Sequence, residues 1–113
     1  MGMHKYRELK IWQRSMDFAV EIYKVTAGFP KEERYGLCSQ LRSSYVSVAS
    51  NIAEGAGRGT NNQFKRFLEF AMGSINEAQT QIELSFRIGY INSETCERLA
   101  DEGLQIYKDS NIL

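Results

Sequence analysis

The stretch SNIAEGAGRGTNNQFKRF, Ser50 to Phe67, holds the densest chemistry in the chain: Gly55, Gly57 and Gly59 at alternate positions, Arg58 among them, Lys65 and Arg66 close behind. Glycines beside cations can cradle a phosphate, because backbone N–H groups approach the anion with no Cβ in the way. Such cradles follow a strand and open a helix, with G-x-G-x-x-G or G-x-x-x-x-G-K-[ST] spacing. Here the preceding residues, SSYVSVASNIAEG, carry a helical period, the glycine spacing fits neither pattern, and no Gly-Lys-Ser/Thr follows. The cluster therefore reads as a corner between two helices, with Gly55 as a left-handed C-cap. Arg58, Lys65 and Arg66 then surround a helix start, whose free N–H groups accept anions, a nucleic-acid phosphate included.

No catalytic constellation accompanies this corner. The single histidine, His4, stands alone near the N-terminus. A di-iron bundle wants Glu-x-x-His on two helices, and the chain has no such motif. Glu54, Glu77 and Glu83 lack histidine partners, so Glu54 and Glu77 read as partners for arginines or helix-end backbone groups. Cys38 and Cys96 lack metal-ligand spacing and fall in helical patterns, which suits buried thiols. The expectation is a protein without enzymatic activity, cofactor or metal. With 42% hydrophobic and 25% charged residues and a formal net charge of zero, the composition is globular and excludes a globally basic, nucleic-acid-coating protein. Charges from Lys5 to Arg14 interrupt any secretory leader, and no apolar run approaches the roughly 20 residues of a membrane span. The expected location is the cytoplasm, with no membrane contact.

The elements that would position the corner follow from its punctuation. Gly28 before Pro30, Gly55–Gly59 before Thr60, and Gly89 before Asn92–Ser93 are three helix stops, each followed by a start signal. They divide residues 1–113 into one domain of four helices, at about 8–27, 31–54, 61–89 and 93–109. Apolar residues recur at helical spacing in each: Leu9, Trp12, Met16, Ala19, Val20, Tyr23 and Ala27, then Leu37, Leu41, Tyr45, Val48 and Ile52. The third stripe runs from Phe64 through Leu68, Ala71, Ile75, Ala78 and Ile82 to Phe86, and the fourth holds Cys96, Leu99, Ala100, Gly103, Ile106 and Tyr107. Short loops between long amphipathic helices predict an all-α, antiparallel up-down-up-down four-helix bundle.

A second apolar face appears on three of these helices. The first has Ile11, Phe18, Ile22 and Val25 opposite its stripe, and the third has Phe70, Leu84 and Ile88. The second carries one charge, Arg42, between Tyr35 and Ala53, and its back lines up the small residues Ser39, Ser43, Ser47 and Ser50. One small bundle cannot bury two faces per helix, so these residues are expected to meet other copies of the chain. Charge is uneven too. Residues 34–66 hold Arg34, Arg42, Arg58, Lys65 and Arg66 against Glu54, a local excess of +4, while residues 67–113 carry −5. Arg42, Arg58, Lys65 and Arg66 are the expected contacts to RNA or DNA.

The pieces LKIWQRSMDFAVEIYKVT, FPKEERYGLCSQLRSS, VSVASNIAEGAGR and FKRFLEFAMGSINEAQTQIELSFRIGYI together resemble the 23S rRNA intervening sequence protein family. The most diagnostic are Trp12-Gln13, Phe29-Pro30, Glu33 to Leu37, Ser50 to Gly55, and Gly73-Ser74 with Glu77. That family is similar to the accessory variability protein of diversity-generating retroelements, a five-subunit barrel that binds nucleic acid beside a reverse transcriptase. The resemblance implies a bacterial homopentamer of four-helix bundles whose partners are itself and RNA, DNA or a nucleoprotein. The retroelement relative is markedly basic, whereas this chain is neutral. The alternative reading of the residues is a scaffold for protein partners only.

Overall fold

The computed structural model describes residues 5–111, so His4 lies outside the described residues. Four helices carry the chain: α1 Lys10–Thr26, α2 Leu37–Ala56, α3 Asn61–Arg87 and α4 Ser93–Ser110, with short 3-10 turns at Tyr6–Glu8 and Lys31–Glu33. Among the described residues there is no strand.

Side-chain chemistry sets most of the boundaries. The Thr60 hydroxyl accepts the Gln63 N–H at 3.2 Å and starts α3; the Asn92 side chain accepts the Thr95 N–H at 2.8 Å and starts α4. At the end of α3, Gly89 takes φ +88°, a left-handed conformation that a side chain would resist. The Tyr90 N–H then reaches the Ser85 carbonyl at 2.8 Å and the Gly89 N–H that of Phe86 at 3.0 Å, satisfying two orphan acceptors.

Two expected boundaries are corrected. Pro30 opens only the 3-10 turn, and α2 begins at Leu37, because Gly36 leaves helical geometry at φ −110°, ψ −115°. The Glu33 carboxylate supplies the missing cap: Oε1 accepts the Leu37 N–H at 3.0 Å, and Oε2 accepts the Tyr90 hydroxyl at 2.8 Å. These two bonds, the Leu37 amide first, hold the Glu33 carboxyl below its ordinary value. Gly55 is not a left-handed cap. It lies inside α2, where a Cβ would fall 2.6 Å from Phe67 Cβ and 3.0 Å from Phe64 Cδ1. The glycine is there for close approach of two helices, not for a turn.

The helices pack as α1 on α2, α2 on α3, α3 on α4 and α4 back on α1, with the Tyr45 hydroxyl of α2 reaching across to Gly103 of α4. Partners run in opposite directions along neighbours. Gly55 meets Phe64, Ser47 bonds Ser74 at 2.9 Å, and Ser44 bonds Gln81 at 3.1 Å. Arg14 of α1 grips Glu102 at 2.6 Å and Asp109 at 3.2 Å, while Glu21, further along α1, pairs with Arg98. The result is an elongated body of 47 × 23 × 20 Å.

The core takes Leu41, Tyr45, Val48 and Ile52 from α2, Leu68 through Ile82 from α3, and Leu99 and Ile106 from α4, along the expected stripes. Phe86 is an exception, 37% exposed in the last turn of α3. For α1 the expected faces hold only in part: Ala19 is buried and Leu9 and Trp12 pack against the core, but the rest of the helix is turned the other way. Phe18 and Ile22, expected to meet other copies, are 2% and 0% exposed in the core of this one, with Ile11 and Val25 half-buried beside them. Met16, Val20 and Tyr23, expected inside, are 41%, 52% and 45% exposed. The inward line is completed by Ser15 and Thr26, both buried. Thr26 is tolerated there because its hydroxyl donates to the Ile22 carbonyl at 2.7 Å. Counting those two residues as polar rotates the apparent stripe to the wrong side.

Midway along the bundle the Ser15 and Tyr45 hydroxyls and Gln79 Oε1 are buried without a hydrogen-bond partner. Gly103 of α4 makes room for two of them: a Cβ there would lie 2.5 Å from Gln79 Oε1 and 2.9 Å from the Tyr45 oxygen.

Candidate nucleic-acid interface

Where α2 passes to α3, the close approach at Gly55 draws the first turns of α3 against the last turn of α2 and stacks the corner side chains. The Arg58 guanidinium bonds Glu54 at 2.7 Å, one helical turn back, and sits 4.6 Å from the Phe67 ring centre. Phe67 meets Phe70 edge-on at 5.4 Å, and Arg66 lies 5.5 Å from the Phe70 centre. Lys65 is exposed beside them. The corner is thus a continuous run, Arg58–Phe67–Phe70–Arg66, held by cation–π contacts.

This arrangement depends on the absence of a side chain at position 55. Gly55→Ala is expected to lower stability by about 1–3 kcal/mol through overpacking, because the clash is with a Cβ that cannot swing away. Gly57→Ala, whose Cβ would sit 3.6 Å from the nearest atom, should be neutral or gain up to about 1 kcal/mol. Urea unfolding of the two variants checks the contrast; equal effects would contradict the account of Gly55.

The four cations expected to act together are divided. Arg58, Lys65 and Arg66 share the corner, but Arg42 lies 14 residues before the end of α2, about 21 Å along the axis. It is also engaged. Its Nε donates to Thr26 Oγ1 at 2.9 Å and Nη2 to the Tyr23 carbonyl at 3.2 Å, and the guanidinium covers the Tyr23 ring at 4.5 Å. Arg42 thereby caps the C-terminus of α1, where the helix dipole favours a cation.

The residues expected to meet other copies are scattered as well. Phe70, Leu84 and Ile88 are 46–48% exposed on α3. Ser39, Ser43 and Ser47 line a polar groove of about 290 Å³ between α2 and α3 that also holds Glu77 and Gln81. A larger groove of about 660 Å³ opens between α1 and α2, walled by Trp12, Met16, Val20, Tyr23, Val46 and Ala53 among others. Sequence reasoning passed over two things here. Phe67 was not singled out, although its spacing of three to Phe70 and that of four from Arg66 to Phe70 place these side chains together on a helix. Met16, Val20 and Tyr23 of α1, which carry the period expected of a core, line this groove instead.

Among the described residues, no group of three or more histidine, cysteine, aspartate or glutamate side chains could hold a metal ion. No helix of the described residues is long and apolar enough to cross a membrane.

These features define a four-helix bundle with a cationic, aromatic corner at one end and an apolar groove between its first two helices. The chain belongs to the 23S rRNA-intervening sequence protein family, whose profile matches residues 7–111. It is similar to a solved structure from Bacteroides thetaiotaomicron, described as a protein with unknown function from the S23 ribosomal protein family. That likeness has a TM-score of 0.81 at 26% identity and covers 88% of this chain and 90% of the other. A search of curated proteins found no match.

Proposed function

We propose that the chain is a non-enzymatic bundle that self-associates, as a homopentamer by family likeness, and contacts RNA or DNA, free or within a nucleoprotein, through the α2–α3 corner. The observation that carries the nucleic-acid part is that no carboxylate holds Lys65 or Arg66 among the described residues, while Arg58 spends only part of its guanidinium on Glu54. Cations left free at one place, on a chain of zero net charge, suit phosphate contacts. Self-association is supported by the exposed Met16, Val20, Tyr23 and Val46 around one apolar groove. Arg42 is outside this reading, being committed to the end of α1.

Binding to a structured RNA should weaken steeply with salt, and Lys65→Glu combined with Arg66→Glu should abolish it. An absence of binding at about 50 mM salt, where phosphate contacts are strongest, would overturn the nucleic-acid part. The zero net charge also favours a second reading, a scaffold for protein partners only. Under that reading the charge-reversed variant would retain every partner after nuclease treatment. Light-scattering mass tests association: an oligomer is expected for the native chain, and Val20→Asp with Val46→Asp should reduce it to a single copy.

A further inference from the structure

We infer that the corner takes unpaired nucleotides, a base stacking on the Phe70 ring while Lys65, Arg66 and Arg58 hold the adjoining phosphates. This rests on the nucleic-acid reading above and narrows it to a ligand class.

Phe70 is 46% exposed although an aromatic neighbour stands 5.4 Å away. An exposed ring with the Arg66 guanidinium 5.5 Å from its centre offers two kinds of flat surface, since guanidinium planes stack on bases as aromatic rings do. Bases within a duplex already cover their own faces; an unpaired base has a face to give. Every base has such a face, so stacking of this kind tolerates any sequence. The same end of the molecule carries a second stack. Arg7 lies 5.6 Å from the Tyr6 ring and 5.9 Å from that of Trp12, and Tyr6 and Trp12 share a groove with Ala53 near the end of α2. Lys5 and Lys10 flank that stack in sequence, so the corner end gathers cations from the start of α1 as well as from α3. Phe70 also stands apart from the other exposed large apolar residues of its helix. Leu84 and Ile88 are 14 and 18 residues on, about 21 and 27 Å along the axis, and belong to the opposite end.

The test is fluorescence anisotropy at about 50 mM salt with an unstructured oligouridylate of about 12 nucleotides and a duplex of equal length. The native chain should bind the single strand more tightly. Phe70→Leu keeps an apolar side chain but loses the ring; it should weaken single-strand binding by about 5- to 150-fold and leave duplex binding and light-scattering mass unchanged. Lys65→Gln should instead lower the salt slope by about 0.7. Equal affinity for both probes, with Phe70→Leu silent and Lys65→Gln still weakening both, overturns the stacking inference and leaves the broader reading standing. No binding to either probe overturns both. A change of mass in Phe70→Leu would assign the ring to a contact between copies and overturn the inference.

Discussion

Ile22→Ala is expected to cost about 2–5 kcal/mol of folding stability, because it empties a fully buried site in a packed interior. Ile22 is 0% exposed, between Phe18 and Thr26 on the inward side of α1. Val20, two residues earlier, is 52% exposed on the outward side, and Val20→Ala should change the stability of a single copy by no more than about 0.5 kcal/mol. Urea unfolding of both variants at several protein concentrations separates the cases. Any further loss at Val20 should shrink as the protein is diluted, since association stabilises the folded state by mass action and is lost from both proteins at low concentration. If Val20→Ala proved the more costly at every concentration, α1 would be turned about its axis relative to this structure.

Tyr45→Phe is expected to make the protein markedly more resistant to alkali. The Tyr45 side chain is 0% exposed and its hydroxyl has no hydrogen-bond partner. Burial first, and the charge of Glu102 second, push its phenol well above the ordinary 10.0. In the unfolded chain the phenol titrates near 10. Above that pH the unfolded chain gives up a proton that the folded chain retains. Stability therefore falls as pH rises, by up to about 1.4 kcal/mol per pH unit, until the folded value is reached. Phenylalanine removes this slope. Near neutrality it also removes a buried group with nothing to bond, so the variant should be as stable as the native chain or more so by about 1 kcal/mol. Burial raises the Cys96 thiol as well, but that contribution is common to both proteins and cancels in the difference. Urea midpoints from about pH 8 to pH 12 give the measurement; parallel curves would remove the account of Tyr45.

How far the residue pattern led differs by helix, for physical reasons. In α2 and α4 one apolar stripe faces a polar or small-residue back, and in α3 the seven-residue stripe outweighs the scattered Phe70, Leu84 and Ile88, so the core-facing side follows from spacing. Thr60, Asn92 and Gly89 punctuate the chain through local hydrogen bonds, which sequence records directly. α1 has two apolar lines of similar size, and only the packed neighbours decide between them. The inner line includes Ser15 and Thr26, whose burial no periodicity rule anticipates. The start of α2 was hidden because its cap comes from Glu33, a residue outside the helix that is also bonded to Tyr90, 57 positions away. At the corner the cations were legible from composition. Their geometry was not: the rings beneath Arg58 and Arg66 come together only when Gly55 lets α3 close against α2.

The bond from Tyr90 to Glu33 spans two connecting segments and fastens them at one pole of the bundle. At the opposite pole the side-chain bonds of Arg58 and Thr60 reach no further than four residues. Two linkers are thereby tied to each other at one tip, while the single linker at the other tip is tied only to the helices it joins. Adjustment of the corner linker therefore passes into the first turns of α3 through Phe67, and leaves the Tyr90–Glu33 fastening at the far tip intact.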